Sequence, residues 1–95
     1  MTQTDILVNN RTGLHARPAK LFTAEAKKFK CSVTIEKNGG DGQKFNAKSI
    51  FSVLAMGADR GTSLKLTADG EDEKEALQTL RQLAENDFGE TEESI

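Results

Sequence analysis

Polar and apolar positions change rhythm several times along the chain, and each change marks an element. Over residues 5–9, Ile6 and Val8 alternate with polar neighbours, which predicts a strand. Asn9 to Gly13 break it with turn-forming residues. From about His15 the period lengthens: Ala19, Phe22, Ala26 and Phe29 recur at steps of three and four, one apolar helical stripe. Lys20, Glu25, Lys27 and Lys28 fall largely on its other faces. Cys31 to Lys37 alternates again, with Val33 and Ile35 on one side. Asn38-Gly39-Gly40-Asp41-Gly42 is a turn signal, and Gln43 to Asn46 then returns as the second strand of a hairpin.

Residues 49–56, SIFSVLAM, form a short apolar segment of about two helical turns. Gly57 suits the position after its last turn. Neighbours on a helix cannot share one face. Ile50, Val53 and Leu54 are therefore expected inward and Phe51 partly outward. After Gly61, Leu64, Leu66 and Ala68 alternate until Gly70. Glu71, Asp72, Glu73 and Glu75 then precede the stripe Ala76, Leu77, Leu80, Leu83 and Ala84, an acidic start to a helix. Residues 87–95 are acidic with little to bury, and fraying is expected there. The order strand, helix, strand, strand, helix, strand, helix predicts an α+β fold, one antiparallel sheet with helices on one face.

Length and composition narrow the picture. The 95 residues suffice for one domain, expected over 1–88, with 89–95 as an acidic tail. A net charge of −2 gives no general attraction to nucleic acid. Cys31 is the sole cysteine, so no intrachain disulfide is possible, and its place in an alternating segment reads as a small buried hydrophobe. No apolar run approaches the length of a membrane span, and MTQTDILVNN has neither the basic start nor the apolar run of a signal peptide. The cytoplasm is the expected compartment.

Chemistry concentrates in Gly13-Leu14-His15-Ala16-Arg17-Pro18-Ala19. Pro18 is tolerated only in a first helical turn, which makes His15 the cap and Ala16, Arg17 and Pro18 the opening positions. The N–H groups of Ala16 and Arg17 then lie unpaired beside the imidazole, an anion site favoured by the helix dipole. Arg17 adds a guanidinium fork suited to phosphate oxygens, and the small Ala16 leaves room for them. A neutral imidazole is a nucleophile near physiological pH. Gly13 allows the backbone angles that present the ring. Taken singly, these residues have plainer readings: a surface or capping histidine, a solvated arginine, a helix-start proline. No second histidine or cysteine cluster exists to complete a zinc site.

GLHARPA resembles the active-site signature of the HPr family, the histidine phosphocarriers of the phosphoenolpyruvate:sugar phosphotransferase system, and NAKSIFSVLAMG resembles the family's second signature, around a regulatory serine. The resemblance spans roughly residues 4–86. It implies an open-faced β-sandwich, a four-stranded antiparallel sheet ordered 1-4-2-3 with three helices on one face. It implies His15 as phosphoryl acceptor through Nδ1, with Arg17 as the active-site arginine. Phosphate would come from phospho-enzyme I and pass to IIA components for sugar uptake. The chain would then be a stoichiometric carrier with a phosphohistidine intermediate, needing no cofactor and no metal. Ser49 matches the serine phosphorylated by an HPr serine kinase/phosphorylase in many bacteria; helix capping alone also explains a serine there. Contacts with transcriptional regulators are further possible partners by the same resemblance.

Lys20, Lys27 and Lys48 with Arg17 would give a positive rim for acidic partners, and Phe51 a docking anchor, although lysines on a solvated helix and a partly buried phenylalanine are equally ordinary. A monomer suits a shuttle that docks twice, without nucleic acid and without membrane insertion. Three features depart from common members: Asn38 to Lys44 is about three residues longer, against usual hairpin loops, Leu54 and Ala55 stand where polar residues are frequent, and the acidic end Gly89-Glu90-Thr91-Glu92-Glu93 is extra or variable. They leave open a regulatory or nitrogen-branch paralogue acting mainly through protein binding. A hydrolytic or metal enzyme is disfavoured, because no carboxylate pair, serine elbow or ligand cluster accompanies His15 in sequence.

Overall fold

The computed structural model describes residues 1–89. Its elements are β1 (Thr2–Leu7), α1 (Ala16–Ala26), β2 (Ser32–Lys37), β3 (Phe45–Asn46), α2 (Ile50–Met56), β4 (Ser63–Asp69) and α3 (Glu73–Glu85), closed by a 3-10 turn at Asp87–Gly89. The four strands form one antiparallel sheet ordered β1-β4-β2-β3. Both the sheet and the three helices are as the sequence pattern and the resemblance implied. No helix among the described residues is long and apolar enough to cross a membrane.

Alternation fixes which face of the sheet is covered. Ile6, Val33, Ile35, Leu64, Leu66 and Ala68 are buried, and Phe22, Ala26, Val53, Leu77 and Leu80 from the helices join them in one core. β4 lies centrally, pairing Leu7 with Ser63 on one side and Lys37 with Leu64 on the other. β1 begins at Thr2, earlier than its hydropathy suggests, because Thr2 and Thr4 still pair with Ala68 and Leu66. Cys31 is buried as expected, and burial pushes its thiol upward from the ordinary value, with Asp72 adding to the shift.

Three sequence expectations need correction. Leu54 is not inward but 40% exposed; the buried residues of α2 are Val53 and Met56. Positions 53 and 56 share the face toward the sheet, whereas 50 and 54, one turn apart, look along the junction with α1. Phe51 points outward more fully than expected, at 82% exposure. Residues 87–89 do have something to bury: Phe88 turns back into the core and packs edge-on against Phe22, ring centroids 6.0 Å apart. The rest of the expected tail, 90–95, lies outside the described residues.

The end of the sheet that carries Thr2 and Asp69 is closed by α3. Glu73 accepts hydrogen bonds from the Thr2 hydroxyl and from Gly70 N–H at 3.2 Å, and it pairs with the Met1 ammonium at 3.0 Å. Asp72 accepts from the N–H groups of Lys30 and Cys31 at 2.8 and 2.9 Å, tying the start of β2 to α3. The opposite end, where β1 leaves and β4 enters, is where the helix mouth of α1 opens.

Candidate functional site

Two loops build this end, residues 8–15 after β1 and 57–62 before β4. The register that pairs Leu7 with Ser63 lays one beside the other. They are stitched by main-chain hydrogen bonds: Val8 N–H to Thr62 O at 2.9 Å, Gly61 N–H to Val8 O at 2.6 Å, and Leu14 N–H to Ala58 O at 2.8 Å. Asn10, buried, donates its side-chain amide to Gly13 O at 2.7 Å. Gly13 sits at φ 78°, and a Cβ there would stand 2.8 Å from Ala58 O and 3.0 Å from Asp59 Cα. Only a glycine lets the loops approach so closely.

His15 follows as the cap of α1, in extended backbone at φ −129° and ψ 166°. Its carbonyl accepts from Ala19 N–H at 3.4 Å, while its side chain makes no capping bond and the ring is left for other work. Pro18 is buried in the first turn, where the N–H it lacks has no partner to lose. Ala16 and Arg17 thus supply the opening main-chain N–H groups, which have no acceptor within the helix. Ala16 holds φ 48°, a left-handed angle that costs a non-glycine residue on the order of 1 kcal/mol. The strain sits directly beside the imidazole. Arg17 is exposed, so its guanidinium is open to an anion brought to the helix mouth.

The ring is 36% exposed, and its Nε2 lies 2.9 Å from Oδ1 of Asp59, whose side chain is 83% exposed. Sequence reasoning missed Asp59. It lies 44 positions from His15, and no local spacing links them. Only the β1–β4 neighbourhood implied by the sheet order could have pointed to it.

The remaining candidates divide between two places. A shallow apolar groove runs between α1 and α2, lined by Ala16, Lys20, Thr23, Ala24, Lys27, Ile50 and Leu54. It carries Lys20 one turn from the helix mouth and Lys27 at the far end of α1, with the exposed Phe51 next to Ile50 in the chain. Ser49 caps α2, its hydroxyl oxygen accepting from Ser52 N–H at 3.3 Å. The Lys48 ammonium donates to Phe29 O at 2.7 Å, just beyond the end of α1. Among the described residues, no group of three His, Cys, Asp or Glu side chains is placed to hold a metal ion.

Comparison with known proteins places the sequence and the fold in one family. Residues 2–86 match the family model described as PTS HPr component phosphorylation site. The chain is 48% identical over 80 residues to the HPr-like protein Crh of Bacillus subtilis, covering 84% of this chain and 91% of that one. It is 39% identical over 92 residues to the phosphocarrier protein HPr of Neisseria meningitidis serogroup A, covering 97% and 100%. Among solved structures, HPr-C-His from Thermoanaerobacter tengcongensis superposes with a TM-score of 0.89 at 44% identity, covering 96% of this chain and 99% of that one. With the fold, the sheet order and the extent of these matches in agreement, the chain belongs to the HPr family of phosphotransferase-system phosphocarriers.

Proposed function

We propose that this protein carries a phosphoryl group on Nδ1 of His15, taking it from phospho-enzyme I and giving it to IIA components. The observation that supports this most is the ring at the mouth of α1, half-open to solvent, with Nε2 occupied by Asp59 and Nδ1 left to react. Phosphorus would meet the imidazole lone pair while its oxygens meet the N–H groups of Ala16 and Arg17, the positive end of the helix dipole and the Arg17 guanidinium. Lys20, Lys27 and Arg17 give the rim positive charge for acidic partners, and Phe51 and Leu54 give it apolar contact. Lys48 also ties the end of α1 to the β3–α2 segment through Phe29 O.

Incubation with phosphoenolpyruvate and enzyme I should add one phosphate, labile in acid and stable in base, and His15→Ala should abolish it. Phosphate gain that survives His15→Ala, or no gain in the wild type, overturns the reading. A monomer is the form we favour for successive docking, and light scattering reads it directly.

Ser49 gives a second, regulatory layer. It precedes Ile50, which lines the groove with Leu54 and Ala16, so a phosphate on Ser49 would set negative charge beside the docking surface and weaken acidic partners. ATP-dependent labelling by an HPr serine kinase, lost in Ser49→Ala, tests it; labelling that persists removes it. Transfer to sugar-specific IIA components, against binding to transcriptional regulators or nitrogen-branch partners, separates uptake from a paralogue's role.

A further inference from the structure

We propose that Asp59 is a positioning residue for His15, holding the ring proton on Nε2 so that Nδ1 keeps its lone pair for phosphorus. The functional consequence rests on the carrier reading above; the placement of the proton does not.

An ionised carboxylate only accepts hydrogen bonds, so at 2.9 Å from Oδ1 the Nε2 atom must be the donor. A neutral imidazole has one N–H, and fixing it on Nε2 leaves Nδ1 bare. The contact is not a chance meeting of two long surface side chains. Asp59 follows the fully buried Ala58, whose carbonyl accepts from Leu14 N–H, the residue before His15. Asp59 O accepts from Thr62 N–H at 3.1 Å, and Gly13 packs against Asp59 Cα from the other loop. The backbones that carry the two side chains are therefore held at a fixed separation by the seam between the loops.

The same proton serves both half-reactions. On loading, the Nδ1–P bond forms as the donor's bond to phosphorus breaks, and the ring becomes a cation with its proton still on Nε2 beside Asp59. On delivery, the N–P bond breaks toward the acceptor, and its electron pair returns to Nδ1. Neutral imidazole leaves, and no proton moves in either direction. Loss of the Nε2 proton from the phosphorylated ring would instead make imidazolate the leaving group, a much poorer one. Asp59 opposes that loss from the side of the ring away from the phosphoryl group, where its own charge repels the phosphate least.

The chain has a single histidine, so the ring nitrogens can be read without ambiguity by ¹⁵N NMR. At alkaline pH, where the ring is neutral, wild type should show Nε2 protonated and Nδ1 bare. Asp59→Ala should raise the fraction protonated on Nδ1 about threefold or more, the scale of one partly exposed hydrogen bond. Asp59→Asn keeps a carbonyl oxygen to accept from Nε2 and should restore the wild-type ratio. Initial rates of phosphate acceptance from phospho-enzyme I should fall about threefold to tenfold in Asp59→Ala, and less in Asp59→Asn. Asp59 is exposed, so both variants should fold normally. An unchanged tautomer ratio in Asp59→Ala, or Asp59→Asn behaving like alanine, overturns the proposal even if His15 carries phosphate. A wild type that takes no phosphate while Asp59→Ala still shifts the tautomer overturns the carrier reading and leaves the proton placement standing.

Discussion

Gly13→Ala tests whether the contact between the two loops builds the site. Gly13 holds φ 78°, and a methyl group there would meet Ala58 O at 2.8 Å, Asp59 Cα at 3.0 Å and Arg60 N at 3.2 Å. These neighbours are backbone and cannot swing aside. Gly39 is the matched control, at φ 77° with nothing within 4 Å of its missing Cβ. Both substitutions carry the left-handed cost of an L-residue, roughly 1–2 kcal/mol, offset similarly by the stiffer unfolded chain. Only Gly13→Ala adds overpacking, about 1–3 kcal/mol, as the loops are forced apart. Against a domain stability of about 5–15 kcal/mol, both proteins should still fold. Urea unfolding should therefore show Gly13→Ala less stable than Gly39→Ala by about 1–3 kcal/mol. Phosphate acceptance should fall only in Gly13→Ala, because separating the loops pulls Asp59 from His15. Equal losses of stability, or an unaffected initial rate of phosphate acceptance in Gly13→Ala, would refute the reasoning.

Phe88→Ala should cost about 3–5 kcal/mol by calorimetry or urea unfolding, since it empties a core position filled by an aromatic pair; a loss below about 1 kcal/mol would mean the turn at 87–89 is not docked. Glu73 is held down to about 2 from an ordinary 4.5, first by the Thr2 hydroxyl, then by Gly70 N–H and the Met1 ammonium. Its folded-state pKa is depressed, so its stabilisation is complete above pH 4.5 and is lost as pH falls toward 2. Thermal melts of wild type and Glu73→Gln should accordingly differ at neutral pH and converge in that window; a constant gap would count against the pairing. Ser49→Ala should lower stability by about 0.5–1 kcal/mol, the lower part of the range for a lost cap, because its bond to Ser52 N–H is long at 3.3 Å. No loss would leave the hydroxyl without a structural part.

Where hydropathy is periodic, the chain declared its fold. Leu64, Leu66 and Ala68 mark the central strand, and Ala76, Leu77, Leu80 and Ala84 the buried face of α3. The cap at His15 was equally legible, since Pro18 permits few helix starts. Other features were carried by tertiary contacts. Thr2 and Thr4 enter a strand through the ladder with β4 rather than through hydrophobicity. Phe88 lies in an acidic stretch, and nothing local reveals the ring of Phe22 it meets. Leu54 points outward because Val53 and Met56 already fill the sheet side of α2. The left-handed angle at Ala16 has no sequence signal, since alanine is no favoured residue there. Asp59 was hidden for the simplest reason, that it reaches His15 only across a strand pairing.

The antiparallel β1–β4 pair also separates what stabilises the molecule from what reacts. At one end, Thr2 stands opposite Ala68, with Glu73, Asp69 and the Met1 ammonium around them. At the other, Leu7 stands opposite Ser63, and the chain turns from there into the loops that hold His15 and Asp59. A strand of this length spans roughly 17–20 Å. Charges separated that far across a solvated surface are largely screened, since the Debye length at physiological salt is only about 8 Å. The acid-sensitive cluster can therefore change its protonation without resetting the potential at the imidazole. The electrostatics His15 feels are those supplied locally, by the helix mouth, Arg17 and Asp59.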